Sequence, residues 1–243
     1  MTTHTLPISE TFHSIQGEGK LAGVPSFFVR FSGCNLRCAW CDTPYASWRP
    51  EHAQRTIDDL LADALTRPAR HAVLTGGEPM LFPQIVPLSQ ALAAAGFHIT
   101  IETAGALPPP PGLRCDLMSI SPKLANSTPT ERQCLDGGID PAWSARHEGR
   151  RINLPALQAL IDLNPSPHHQ IKFVVTGPDD LPEIDALLAR LRGWEPSDIL
   201  LMPEGTAPPA PDRRDAVLRL CLDRAWRYCH RLHIDLFGHT RGT

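Results

Sequence analysis

The chain has no long apolar run. Nothing in it approaches the ~18 consecutive apolar residues of a membrane-spanning helix. Its opening stretch, MTTHTLPISETFHSIQGEG, lacks the apolar centre of a secretory leader. A cytoplasmic protein that does not engage a membrane is expected. Strong charge is missing too: a formal net charge of -3 creates no field that would gather nucleic acid. An even set of cysteines is also missing. There are seven, three of them clustered, which argues against a disulfide framework and for a metal or redox site in a reducing compartment. Cys115, Cys134, Cys221 and Cys229 are scattered and read as small buried hydrophobes. There are no internal repeats and no composition break that would mark a domain boundary. At 243 residues and 42% apolar content, the chain can build one sizeable core as a single domain, 1–243.

Strand-like and helix-like segments alternate. PSFFVRFSG (25–33) reads as a strand, and TIDDLLADALTR (56–67) as a helix capped by Thr56 with Asp58 and Asp59 in its first turn. HAVLTGGEP (71–79) is a short apolar strand ending in glycines, followed by a helix that stops at Gly96. Strands are predicted at 97–105, 115–123, 169–177 and 198–205, with helices at 153–164, 180–193 and about 212–230. RLHIDLFG (231–238) is predicted to close the chain as a last strand. Repeated β-then-α units imply parallel strands with helices packed outside. Seven candidate strands favour an α/β fold of the full or partial (β/α) barrel type, with a doubly wound open sheet as the alternative. The polar stretch 126–151 breaks the rhythm and reads as a long surface excursion with room for a short helix. The runs LPPPPG (107–112) and APPAP (207–211) read as stiff loops.

The densest chemistry is in SGCNLRCAWCDTPYASW, where Cys34, Cys38 and Cys41 stand at C-x3-C-x2-C. Structural zinc takes four ligands, and no paired cysteine or histidine motif nearby supplies the fourth. Thiolates also hold iron–sulfur clusters. Three cysteines on a four-iron cluster leave one iron open to a small chelating molecule. The motif follows directly on a strand, where the C-terminal loops of a barrel would hold a site.

With TGGEPML (75–81), IETAG (101–105) and SPK (121–123) at later strand ends, the sequence resembles the radical S-adenosylmethionine superfamily. That resemblance implies a [4Fe-4S] cluster on Cys34, Cys38 and Cys41. It also implies S-adenosylmethionine contacts from Trp40, Gly76, Gly77, Glu78, Glu102, Ser121, Pro122 and Lys123. Glu78 and the glycine backbone are expected at the ammonium, and Glu102, Ser121 and Lys123 at the ribose hydroxyls and carboxylate. A carboxylate suits an ammonium, and glycines permit close backbone approach.

Within that superfamily, SIQGEG, RFSGCNLRCAWCDT, TGGEP, ETAG, SPK, QIKFVV and the terminal LFGHTRGT resemble the 7-carboxy-7-deazaguanine synthase family over nearly the whole chain. Only about 127–151 matches nothing. The resemblance implies ring contraction of 6-carboxy-5,6,7,8-tetrahydropterin, with loss of ammonia, in deazapurine and queuosine biosynthesis. Ile15, Gln16, Gly17, Glu18 and Thr75 match pterin-contact positions, and Arg30 matches the arginine that grips the substrate carboxylate. Thr43 matches a Mg2+ ligand. Its poor donor strength is compatible with an ion that keeps waters and takes substrate oxygens. The carboxylate of Thr243 is expected to reach the substrate. A homodimer and a flavodoxin-type reductant are further implications. No general base stands out. An activating enzyme acting on a protein partner, and a non-catalytic metal module, are the competing classes.

Overall fold

The computed structural model describes residues 5–243; the first residues of the stretch read as leaderless lie outside it. Nine strands form one sheet, in the order β3-β1-β2-β4-β5-β6-β7-β8-β9. They are β1 (Thr5–Ile15), β2 (Pro25–Phe31), β3 (Ala53–Thr56), β4 (His71–Gly76), β5 (His98–Thr103), β6 (Leu117–Ile120), β7 (His169–Val175), β8 (Ile199–Pro203) and β9 (Arg227–Tyr228). From β2 through β9 neighbouring strands are parallel, while β1 runs antiparallel to both β2 and β3. The parallel strands follow one another without reversing direction across the sheet. That is the order of a barrel that stops before closing, and it differs from a doubly wound sheet, which reverses at a switch point.

The helices are α1 (Ile57–Leu65), α2 (Ile85–Ala94), α3 (Glu131–Asp136), α4 (Trp143–Glu148), α5 (Leu154–Leu163), α6 (Leu181–Leu188), α7 (Pro211–Arg224) and α8 (Leu232–Phe237). At the start of α1, Thr56 accepts from the Asp59 N–H at 3.1 Å and Asp59 reaches back to the Thr56 N–H at 3.3 Å. Thr56 is the cap the sequence predicts, and the reciprocal bond makes it a capping box. After α2 the chain turns at Gly96, φ +82°.

Side chains of a strand alternate between its faces, and the alternation here separates core from site. Phe27, Val29 and Phe31 of β2, Leu74 of β4, Ile99 and Ile101 of β5, and Ile171 and Phe173 of β7 belong to one continuous apolar core. The alternate residues Arg30, Thr75, Glu102 and Lys172 line a cavity of about 400 Å³ on the opposite, concave face. Burial on both faces explains why β4 and β7 read as near-continuous buried runs.

Three readings of the sequence need correction. The segment 231–238 is a short helix, α8, although Leu232, Ile234 and Leu236 alternate as in a strand. Only Ile234 is buried there, and the sheet already ends on β9 at Arg227–Tyr228. The last long helix stops at Arg224, where Ala225 adopts φ +54° and turns the chain into β9. The stretch 126–151 carries two short helices and packs inward, with Ser127, Cys134 and His147 all buried.

Candidate active site

The C-terminal ends of β2, β4, β5 and β6 open onto the concave cavity, and the cysteine loop leaves β2 directly into it. Cys34, Cys38 and Cys41 line the cavity as free thiols. Among the described residues no three His, Cys, Asp or Glu side chains form a group that could chelate one metal ion. Burial pushes the Cys34 thiol up to about 12, with Glu78 adding to the effect. Burial raises Cys38 and Cys41 too, so loading the site must release protons.

The loop after β4 is pressed onto the cysteine loop. The Gly77 N–H donates to the Phe31 carbonyl at 2.9 Å and the Glu78 N–H to the Gly33 carbonyl at 2.9 Å. A Cβ on Gly76 would stand 2.3 Å from the Phe31 oxygen, and one on Gly77 2.0 Å from the Gly33 oxygen. Both glycines are therefore demanded by backbone contact. Glu78 lies behind this loop. It is fully buried and absent from the cavity lining. Its carboxylate accepts from the Met80 and Ala104 N–H groups and the Thr103 hydroxyl, at 2.8–3.0 Å. These bonds tie the GGE loop to the end of β5. Pro122 also stays out of the lining, whereas Ser121, Lys123 and Trp40 enter it. Lys123 Nζ donates to Ser121 Oγ at 2.8 Å and lies 5.6 Å from the Trp40 ring centre.

The segment from Ile15 to Glu18 forms the adjoining wall, with Thr75, Arg30, Thr43 and Thr243 around it. Gln16 Nε2 donates to Glu102 Oε1 at 3.1 Å, and Thr75 Oγ1 donates to Glu102 Oε2 at 2.7 Å. One carboxylate thus joins two expected pterin contacts to an expected cofactor contact. Glu18 pairs with Lys172 and, at 3.4 Å, with Arg231. Burial alone would raise the Glu18 pKa, but Lys172, Arg231 and His233 outweigh it and hold the carboxyl at about 2. Lys172 is held up by the same pairing against its own desolvation. Arg30 donates Nε to Glu10 at 2.7 Å.

Sequence reasoning missed Glu10, Tyr45, Lys172, Arg231, His233 and Arg241. Of these only Lys172 carried a signal, as a lone charge within the apolar strand QIKFVV. His233 lies on Gly17, where an added Cβ would meet its ring at 2.0 Å, and burial lowers its pKa.

The excursion 126–151 braces the cysteine loop from outside. The Arg37 N–H donates to His147 Nδ1 at 3.1 Å, and the Ala39 N–H to the Ser127 carbonyl at 2.8 Å. His147 Nε2 meets Ser127 Oγ at 2.9 Å. Burial lowers the His147 pKa to about 4, which keeps the ring neutral and Nδ1 free to accept.

The sequence model of the Radical SAM superfamily matches residues 28–114. The chain is 48% identical to the 7-carboxy-7-deazaguanine synthase of Halobacterium salinarum, over 96% of this chain and 91% of that one. It is 45% identical to the 7-carboxy-7-deazaguanine synthase of Rhodopirellula baltica, over 98% and 89%. Among solved structures it resembles that of QueE from Escherichia coli, with a TM-score of 0.68, 28% identity and coverage of 94% and 95%.

Proposed function

The chain belongs to the 7-carboxy-7-deazaguanine synthase family of the radical S-adenosylmethionine superfamily, and we propose that its concave cavity performs that family's reaction. It is a lyase that converts 6-carboxy-5,6,7,8-tetrahydropterin to 7-carboxy-7-deazaguanine, releasing ammonia, on the route to queuosine and related deazapurines. The observation that carries the residue assignments is the shared cavity. Three thiols, the strand-end loops, the Ile15–Glu18 wall and Arg30 all face it.

Cys34, Cys38 and Cys41 would hold the [4Fe-4S] cluster. Trp40, Ser121 and Lys123, with the backbone of Gly76 and Gly77, would hold S-adenosylmethionine. When bound, this pair supplies a carbon-centred radical that removes a hydrogen atom from the substrate. The chain's own residues bind and orient. Lys123 offers an ammonium to the cofactor carboxylate. Glu102, already accepting from Gln16 and Thr75, places the pterin relative to the cofactor ribose. Glu18 stays ionised across the working pH range and accepts hydrogen bonds from the donor-rich edge of the pterin. Lys172 stays an ammonium, so the pair provides fixed charge and does not shuttle protons. His233 lines the cavity against Gly17. Arg30 has Nε committed to Glu10 and its Nη edge left for the substrate carboxylate, a planar match. The carboxylate of Thr243, a residue of the cavity lining, reaches the substrate.

Mg2+ would be held by Thr43 together with substrate oxygens and waters. A hydroxyl is a weak lone donor, which suits an ion that keeps much of its hydration. A homodimer and a flavodoxin-type reductant complete the proposal. Leu218 and Leu222, one turn apart and exposed on α7, offer an apolar strip for self-association.

The test is anaerobic reconstitution with iron and sulfide, followed by assay with the carboxytetrahydropterin and varied Mg2+. Product formation in excess over 5′-deoxyadenosine is expected, because loss of ammonia alone is redox-neutral and the abstracted hydrogen atom has to be returned. Thr43→Ala should lose Mg2+ activation while S-adenosylmethionine binding persists. Cleavage of the cofactor only in the presence of a protein partner would show an activating enzyme instead.

A further inference from the structure

We propose that Glu10 is a positioning residue for the substrate carboxylate, fixing Arg30 and latching the C-terminal tail onto the same site. The inference rests on the assignment of Arg30 to that carboxylate.

It begins with a register shift. In the β1–β2 pairing Ile8 opposes Phe31, but the next pair is Glu10 with Arg30. The irregularity lies between Ile8 and Glu10, and such bulges re-aim a side chain. Here Glu10 is brought directly opposite Arg30, on the face that lines the cavity.

Three groups then converge on one carboxylate. Glu10 Oε1 accepts from Arg30 Nε at 2.7 Å and from the Tyr45 hydroxyl at 2.7 Å, while Oε2 faces Arg241 Nε at 3.3 Å. The Glu10 side chain is only 13% exposed, and that of Arg30 only 16%. The Arg30 guanidinium also lies 5.6 Å from the ring centre of Phe12, which stacks on Phe28. In such apolar surroundings a guanidinium needs a fixed partner. Binding through Nε holds the plane of the fork and leaves both Nη groups without a protein partner among the described residues.

The tail is tied to the same carboxylate. Arg241 stacks 4.0 Å from the Tyr45 ring centre and reaches Glu51 at 3.0 Å. Upstream, the Leu232 N–H donates to the Gly17 carbonyl at 2.8 Å, and His239 Nε2 lies 3.0 Å from the Asp42 carbonyl. The segment 232–241 therefore crosses from the Ile15–Glu18 wall to Glu10. Arg241 is its last ion-paired side chain before Gly242 and Thr243, which line the cavity. One carboxylate sets the placement of the arginine fork on one side and of the tail on the other.

The discriminating experiment compares two ligands on the anaerobically reconstituted enzyme: 6-carboxytetrahydropterin and tetrahydropterin without the carboxylate. Glu10→Gln should weaken binding of the first by about tenfold or more and of the second by less than about twofold. Glu10→Asp should recover part of the loss. Arg241→Ala, a change at the more exposed end of the network, should give a smaller loss of the same selective kind and faster trimming of the tail by carboxypeptidase. Combined with Glu10→Gln its effect should be less than multiplicative, since both act through one group. Equal weakening of both ligands, or of neither, in Glu10→Gln and Arg241→Ala overturns the proposal. Arg30→Lys separates the two layers. If it too fails to discriminate the ligands, the Arg30 assignment is wrong; if it alone discriminates, only the role of Glu10 is.

Discussion

On the cysteine side of the cavity the loops are held by backbone, with Gly76 and Gly77 pressed against Phe31 and Gly33. On the tail side they are held by charge, with Glu18 between Lys172 and Arg231 and Glu10 between Arg30 and Arg241. The cysteine side has tight steric tolerances, and its neutral His147 brace holds its protonation state near pH 7. The tail side depends on ionisation.

The largest expected effect lies on the cysteine side. Cys38→Ala should bring iron content and S-adenosylmethionine cleavage to background while far-UV circular dichroism is retained; full iron content in that variant refutes the ligand assignment. By contrast, alanine at Cys134 or Cys221 should leave iron content unchanged, because both sit away from the cavity.

On the tail side, Lys172→Met removes the main partner of a buried carboxylate and should cost about 3–5 kcal/mol in denaturant unfolding. Adding Glu18→Gln should recover much of it. If Lys172→Met is neutral, charge does not hold this wall.

The two walls are separated most cleanly by two glycines. Gly77→Ala places a methyl 2.0 Å from a backbone oxygen, whereas Gly17→Ala meets side-chain atoms of His233, Nδ1 at 2.0 Å and Cβ at 2.8 Å. The first should destabilise by about 1–3 kcal/mol. The second should cost less, since a side chain yields more readily than backbone, and should raise the pterin KM. Equal losses of Tm would erase the distinction.

The smallest effect is in pH. Glu18 is held at about 2 in the folded chain against an ordinary value of 4.5, so the unfolded state takes up the proton first. Its stabilising contribution is complete above about 4.5 and fades as pH falls towards 2. Lys172 acts in the opposite sense: its contribution is complete below its ordinary 10.5 and is lost at higher pH. Unfolding titrations of Glu18→Gln should therefore show a shallower acid limb than the parent.

Much of the fold was readable because it rests on local pattern. Thr56 with Asp59 announced α1, Gly96 ended α2, and the apolar alternation of β2, β5 and β7 marked the sheet. Pro7 hid β1, since a proline lowers any strand reading, yet its carbonyl accepts from the Ser32 N–H at 2.9 Å. The alternation in 231–238 misled because the strand period can also occur in a short exposed helix. Glu78 was assigned by its motif to the cofactor's ammonium, and the structure adds its hydrogen bonds to Met80, Thr103 and Ala104. A carboxylate flanked by glycines looks the same in sequence whether it faces a cofactor or backbone N–H groups.

The sequence alone determined the chemistry of the cysteine side, because C-x3-C-x2-C, TGGEP, ETAG and SPK are contiguous and each acts through its own stretch of backbone. Only the tertiary structure decided the tail side. Glu18 finds Lys172, Glu10 finds Arg241 and His233 finds Gly17 across most of the chain's length. A charge pair between remote residues leaves no period or spacing in the sequence; it exists only where the curved sheet brings its first strand and its last segment to the same cavity.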